Sequence, residues 1–353
     1  MAYSTIVKPG DYFNTKLYTG TGANQSVTGV GFQPDWVWIK NRGTVQNHVL
    51  TDSVRGVTKS LNSNTADAET TQAYDLTAFN SDGFTVNGDT RVSESGQTYV
   101  SWNWLANNTS GSSNTDGSIS STVSANTTSG FSIVKWIGTG SAGTIGHGLG
   151  AEPHVIIVKK LNSSESWFSY HKPLGNTGRL VLSTTDAVAN DAGYWNSTTP
   201  TSSVFSVTSN GSNNASGDTY IAYCFAPKTG YSKFGSYVGN GNANGNFVYL
   251  GFKPAFLIAK NASSSGYSWE LFDNKRNTTD GVGNVIQKRL YPDSSAVEGG
   301  SSSTNFIDFL SNGFKIRRAG DSNENGSTYI YMAFAEEPLV ANSGTDGVPA
   351  TAK

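Results

Sequence analysis

Three times along the chain, a polar and turn-rich stretch gives way to an apolar run that opens in the same way. The copies are Gly31-Phe32-Gln33-Pro34-Asp35-Trp36-Val37-Trp38-Ile39-Lys40, Gly150-Ala151-Glu152-Pro153-His154-Val155-Ile156-Ile157-Val158-Lys159 and Gly251-Phe252-Lys253-Pro254-Ala255-Phe256-Leu257-Ile258-Ala259-Lys260. Proline fixes φ and cannot donate to a ladder, so it suits the first residue of a strand. Both faces of the run that follows are apolar, which predicts a strand covered on both sides.

A second pattern follows each run. Thr98-Tyr99-Val100-Ser101-Trp102-Asn103-Trp104, Thr219-Tyr220-Ile221-Ala222-Tyr223-Cys224-Phe225 and Thr328-Tyr329-Ile330-Tyr331-Met332-Ala333-Phe334 alternate with period two. These predict a closing strand whose core face carries Val100, Trp102 and Trp104 or their counterparts. A phenylalanine stands 15 residues before each closing tyrosine: Phe84, Phe205 and Phe314. Tyr12, Phe131 and Tyr231 lead opening strands that run into Gly20-Thr21-Gly22, Gly138-Thr139-Gly140 and Gly239-Asn240-Gly241.

Turn pairs such as Asp82-Gly83 and Asn312-Gly313 separate short strands, as hairpins require. The fold expected is all-β, with three tandem antiparallel β-sandwich-like repeat units. The units span 1–107, 130–227 and 228–338. A Ser/Thr/Asn-rich stretch at 108–129 reads as a flexible linker or an extended edge segment, and 339–353 as a C-terminal tail or arm. A single helical turn is expected at 188–194, with counterparts at 66–69 and 296–298.

Composition sharpens this picture. Charged residues are 14% of the 353, against roughly 25% in ordinary soluble domains, and glycine is abundant at 40. That favours strands and turns over helices. A net charge of −2 gives no electrostatic case for nucleic acid or an anionic membrane. No run approaches the ~20 apolar residues of a membrane helix, and the first residues lack the apolar core of a secretory signal. Cys224 is the single cysteine, so no intrachain disulfide is possible, and an inert structural thiol is expected.

Candidate chemistry thins out on inspection. Gly138-Thr139-Gly140-Ser141-Ala142-Gly143 matches a dinucleotide fingerprint, but the glycine-rich sequence after it cannot supply the required helix N-terminus, so a hairpin turn is expected. Asp321-Ser322-Asn323-Glu324-Asn325-Gly326 resembles the start of a calcium loop, yet position twelve is Met332 rather than a bidentate glutamate. Asp52 and Arg55 recur as Asp273 and Arg276, and read as local ion pairs closing turns; the middle copy has His171 and Leu174 instead. The histidines His48, His147, His154 and His171 lack zinc-ligand spacing. No catalytic, cofactor or metal residues are assigned, and the ligand-binding residues stay open.

The run from Gly31 through Trp36-Val37-Trp38-Ile39-Lys40-Asn41-Arg42 to Asp52-Ser53-Val54-Arg55-Gly56, with Ser81-Asp82-Gly83-Phe84 and Thr98-Tyr99-Val100-Ser101-Trp102, resembles a repeat domain of aquatic tailed bacteriophages. That domain often accompanies SPRY or concanavalin-like modules. The resemblance covers about residues 10–338. It implies a non-enzymatic virion-surface structural protein, a tail fibre or adhesin, made in the host cytoplasm and carried on the virion exterior. Alternatives are a capsid (head) decoration protein and a glycan-degrading tailspike. The implied partners are other virion proteins, host-surface carbohydrate and further copies of the chain in a homo-oligomer, with no cofactor, nucleic acid or membrane insertion.

Overall fold

The computed structural model describes residues 4–277, 284–301 and 305–339. The chain is nearly all β, built of antiparallel sheets. One strand order occurs three times: opening strand, closing strand, proline-led strand, then a short fourth strand. The opening strands are Phe13–Thr19, Phe131–Ile137 and Ser232–Val238, and the closing strands are Thr98–Trp104, Thr219–Phe225 and Thr328–Pro338. The proline-led strands are Trp36–Asn41, Val155–Lys160 and Phe252–Asn261. The fourth strands are Val49–Asp52, Phe168–His171 and Glu270–Asp273.

The prolines behave as their fixed φ dictates. Pro34 and Pro153 stand two residues ahead of their strands, and Pro254 sits inside its strand at a register shift where no ladder donor is needed. Ladder register corrects one detail of the sequence reading. Phe13, Phe131 and Ser232 are equivalent, each facing the last aromatic of a closing strand, so Phe131 is offset by one from Tyr12 and Tyr231.

Each inner sheet has two buried faces. One packs on a smaller outer layer: Gln25–Thr28, Leu76–Asn80 and Gly83–Val86 in the first segment, Gly143–Gly146 and Val204–Val207 in the second, and a four-stranded sheet around Gly313–Ile316 in the third. Phe84, Phe205 and Phe314 fill these sandwich cores and are at most 1% exposed. The other face was expected to be core within each unit. It instead forms one core common to all three segments, because its aromatics are too large to be covered by a single sheet. Trp36 stacks on Tyr223 at 4.2 Å, Phe13 on Phe334 at 5.1 Å, and Trp104 meets Phe256 edge-on at 5.6 Å. Each such ring removes ~150–250 Å² from water, about 4–6 kcal/mol as an upper bound.

Stretch 108–129 contributes strands Ser112–Asn114 and Ser121–Asn126 to the edge of the second inner sheet, with Ile119 and Val123 tucked into its core. The helical turns expected at 66–69 and 296–298 do not form. Those residues run as extended loops, and only the middle counterpart coils, at Ala192–Trp195 behind an Asp191 cap. A further turn of helix, Gly211–Asn214, was not foreseen. Of the tail at 339–353, residues 340–353 lie outside the described residues.

The extended loops have a structural task. Glu165 N donates to Ala66 O, and Glu69 N to Leu161 O, both at 2.8 Å. The same two bonds join Gly266 to Thr185 and Val188 to Ala262, and again Gln46 to Ser295 and Glu298 to Arg42. The first segment's loop therefore clasps the second segment, the second clasps the third, and the third clasps the first. The three segments form a closed ring.

Candidate functional site

The residues singled out from sequence are occupied in holding this ring together. Asp52 accepts from Arg55 Nε at 2.5 Å and from the Tyr223 hydroxyl of the next segment at 2.8 Å, all fully or nearly buried. Arg55 also reaches Glu69 in the clasping loop. Asp273 repeats the arrangement with Arg276 at 2.6 Å and with Trp102 Nε1 at 2.9 Å, and Arg276 reaches Glu298. These are local ion pairs, as expected, but each also carries a donor from a neighbouring segment.

The third junction shows why the middle copy departs from the pattern. The residue equivalent to Trp102 and Tyr223 there is Met332, which has no hydrogen to donate. An aspartate facing it would be buried without that partner, at a cost of about 1–3 kcal/mol. His171 stands in its place, its Nε2 donating to Tyr331 O at 3.0 Å, and burial pushes its pKa down to about 4. Beside it lies an apolar void of about 20 Å³ lined by Trp36, Trp38 and Met332 among others.

The lysine ending each apolar run is also structural. Lys40, Lys159 and Lys260 are at most 1% exposed, and burial lowers each to about 8. Lys159 Nζ donates to Ala66 O and Lys260 Nζ to Thr185 O, so both reach the clasping loops.

The glycine-rich turns pack rather than bind. A Cβ on Gly20, Gly138 or Gly239 would fall within 2.3 Å of a backbone carbonyl, at Glu94, Ala215 or Glu324. Those same residues donate their N–H to the closing-strand tyrosines Tyr99, Tyr220 and Tyr329. Asp321 bonds Arg289 and Arg318, and among the described residues no group of three acidic, histidine or cysteine side chains is arranged for a metal. His48 contacts Tyr291 O, and His147 contacts Thr201 O. His154 is the exception, lining a groove with Lys233, Tyr249 and Leu339. Cys224 is fully buried, which raises its thiol pKa well above the ordinary range and leaves it unreactive.

One polar cleft is built differently. It measures about 210 Å³ and is lined by Gly266, Tyr267, Ser268, Glu270, Arg289, Tyr291 and Asp321. Glu270 is 4% exposed. Arg289 Nη1 donates to Glu270 Oε1 at 2.6 Å and to Asp321 Oδ2 at 2.9 Å, and the guanidinium lies over the Phe306 and Tyr291 rings. Glu270 Oε2 and Arg289 Nε are closed to solvent, and the Ser322 hydroxyl lies close enough to the Glu270 carboxylate to favour its charged form. Burial raises Glu270's carboxyl above its ordinary range, and Arg289 opposes the rise. Asp321 holds φ at +49°, a left-handed conformation uncommon outside glycine.

Sequence reasoning missed this cleft, although a signal was present. Glu270 is the first residue of its fourth strand, where the other two segments have Val49 and Phe168. A glutamate at a register position that is otherwise apolar and buried marks a local departure from the shared pattern.

Comparison with characterised proteins and with solved structures finds no match. Residues 8–338, the whole of the ring, match one family, and the chain belongs to the domain of unknown function DUF7483.

Proposed function

We propose that this chain is a non-enzymatic structural protein of a phage particle's exterior, of the tail-fibre or adhesin kind. Closure of the ring is the observation that supports this most. Tyr223 and Trp102 donating to buried aspartates at two junctions, His171 donating at the third, and lysines reaching the clasping loops hold the segments together, so the ring is braced rather than hinged. Its outside offers loops rich in Ser, Thr and Asn together with exposed Tyr74, Phe247 and Tyr249. Such a surface suits weak polar and stacking contacts with other virion proteins or with host-surface carbohydrate. Repetition in a homo-oligomeric or symmetric particle would multiply those contacts by roughly 10²–10⁴ in avidity.

The test is to locate the protein on intact virions with gold-labelled antibody and to count its copies. Tens of copies at the tail support the fibre reading. Hundreds over the head would move the protein to capsid decoration, and no label on any particle would refute both. The glycan-degrading alternative has one observation in its favour, two carboxylates sharing Arg289. Incubation with host polysaccharide checks it by the appearance of shortened chains.

A further inference from the structure

We infer that the open side of the third sandwich is a docking slot for an extended strand supplied by another polypeptide. The strand carries small or β-branched apolar side chains at alternate positions, with Ser or Thr between them. This goes beyond the particle reading and does not depend on it. In the second segment the same place is covered from within the chain. Ser121–Asn126 pairs there with the opening strand, Thr122 facing Lys135 and Ser124 facing Ile133. Ile119 N donates to Thr144 O at 3.0 Å, and the Ser121 hydroxyl to Gly146 O at 2.9 Å, so the outer strand is covered too. Val123 and Ala125 fill the space between, close enough that a Cβ on Gly148 would lie 3.0 and 3.3 Å from them.

The third segment has the slot without the strand. Residues 226–231 alone join its opening strand to the second closing strand, too short a length for a strand and its return turn. Ser232–Val238 and Phe247–Tyr249 are therefore the terminal strands of their sheets among the described residues. Ala335 N donates to Tyr231 O and Gly239 N to Ser327 O, so the odd-numbered residues of the opening strand bond the closing strand. The peptide groups of Phe234 and Ser236 then face outward. They are the equivalents of Ile133 and Lys135, which the second segment pairs. Between the two edges runs a groove of about 430 Å³, lined by Ser232, Lys233, Phe234, Tyr249 and Leu250 among others.

The side chains around the slot also differ from their counterparts. Phe247 and Tyr249 flank Val248 and are 44% and 50% exposed, where the other segments have Ser26 and Thr28 or Thr144 and Gly146. The fold does not need aromatic rings there, and an incoming strand would cover them. Leu250 N donates to Asn312 O and Ile316 N to Asn246 O, which turns the Phe247 peptide groups to the open side. Some edge carbonyls carry side-chain caps that a strand would replace. Asn246 Nδ2 donates to Val238 O at 2.6 Å, Lys233 Nζ to Tyr249 O at 2.7 Å, and the His154 ring faces the Phe234 backbone. Among the described residues, the Ser236 and Phe247 peptide groups have no such partner. An open strand edge is a template for strand addition, in which backbone bonds give affinity and pockets select alternate side chains. The second segment fills this place with Val123 and Ala125, and that sets the chemistry of the occupant.

The experiment titrates the full chain with a synthetic peptide of the sequence of residues 116–127, using calorimetry, with a scrambled peptide as control. Saturable binding of the first peptide alone is expected. Ser236→Pro should weaken it about tenfold or more, because proline removes an outward N–H and leaves the ladder to the closing strand intact. Circular dichroism shows whether that variant folds. Disulfide capture gives a second reading that needs no proline. With Ser236→Cys in the chain, a peptide bearing Thr122→Cys should cross-link and one bearing Ser121→Cys should not, since position 236 is equivalent to Lys135 and neighbouring strand residues point to opposite faces. No saturable binding, full binding by a folded Ser236→Pro variant, or equal capture of the two cysteine peptides overturns the slot. Binding seen only in a chain ending at Leu339 would show that residues 340–353 hold the groove themselves, and overturns a partner from another chain.

Discussion

Two tyrosines allow the junction argument to be tested by one chemical change with opposite expected results. Tyr223 donates its hydroxyl to Asp52 Oδ2 across a segment boundary, at 2.8 Å, with both residues fully buried. Tyr231 is 1% exposed, and its hydroxyl has no partner. Replacing Tyr223 by Phe removes one of the donors that compensate a buried carboxylate. Arg55 and two backbone N–H groups still hold Asp52, so the loss is the bond to Asp52 together with the long 3.4 Å bond that the hydroxyl accepts from Arg55 Nη2, about 1.5–3 kcal/mol in all. Replacing Tyr231 by Phe removes a hydroxyl that folding desolvates without return, so it should be neutral or stabilising by up to about 1 kcal/mol. Both variants keep the ring and its packing, so cavity effects cancel. Urea unfolding at pH 7, followed by tryptophan fluorescence and far-UV circular dichroism, gives the two midpoints. Equal losses in the two variants, or a greater loss in Tyr231→Phe, would refute the account of what binds the first two segments.

Three other outcomes are expected. Phe314→Ala should cost about 3–5 kcal/mol, since Phe314 is fully buried against Tyr237 and Tyr331; a midpoint shift equivalent to less than about 1 kcal/mol would place it outside the core. His171 has a folded pKa of about 4, below its unfolded value of about 6.5. Between those values the unfolded chain binds the proton and the folded chain does not, so stability falls as pH drops through that window, by about 3 kcal/mol in all. His171→Gln, which keeps a donor for Tyr331 O, should lose about 2–3 kcal/mol less than the native chain between pH 7 and pH 4.5, and identical pH profiles would contradict the assignment. Finally, residues 1–231 alone should bind a hydrophobic dye and unfold without a cooperative transition, because the shared core loses Phe256, Met332 and Phe334; a sharp calorimetric peak would show that two segments suffice.

The strands were largely legible in the sequence, and their assembly was not. The glycine–proline–apolar–lysine runs marked buried strands because proline and period carry local information. The same runs could not say that Trp102 would meet Asp273 or that Arg42 would meet Glu298, since those partners lie 171 and 256 residues apart. Both faces of each closing strand are buried, and a period-two pattern names only the more apolar face. The loops at 66–69 and 296–298 read as helical turns from their Ala and Glu content, yet the backbone bonds of the clasps decide otherwise. The cleft escaped notice because Glu270 looks ordinary in isolation. It becomes informative only once register places it beside Val49 and Phe168.

Ring closure also sets the order of events in time. Arg42 pairs with Glu298 through two hydrogen bonds, and its carbonyl accepts the Glu298 N–H. At ~5–20 residues per second, a ribosome needs roughly 13–50 s to make the 256 residues between them. Throughout that interval the aromatic face built from Trp36, Trp38, Trp102 and Trp104 lacks its third wall. The nascent chain is then at its most vulnerable to association with other copies, and chaperone demand should peak there. The last clasp acts as a latch, and once the ring is closed no segment can leave it without breaking both of its junctions. A particle component assembled once and then exposed outside a cell would gain from that asymmetry, because its lifetime is set by how slowly it opens.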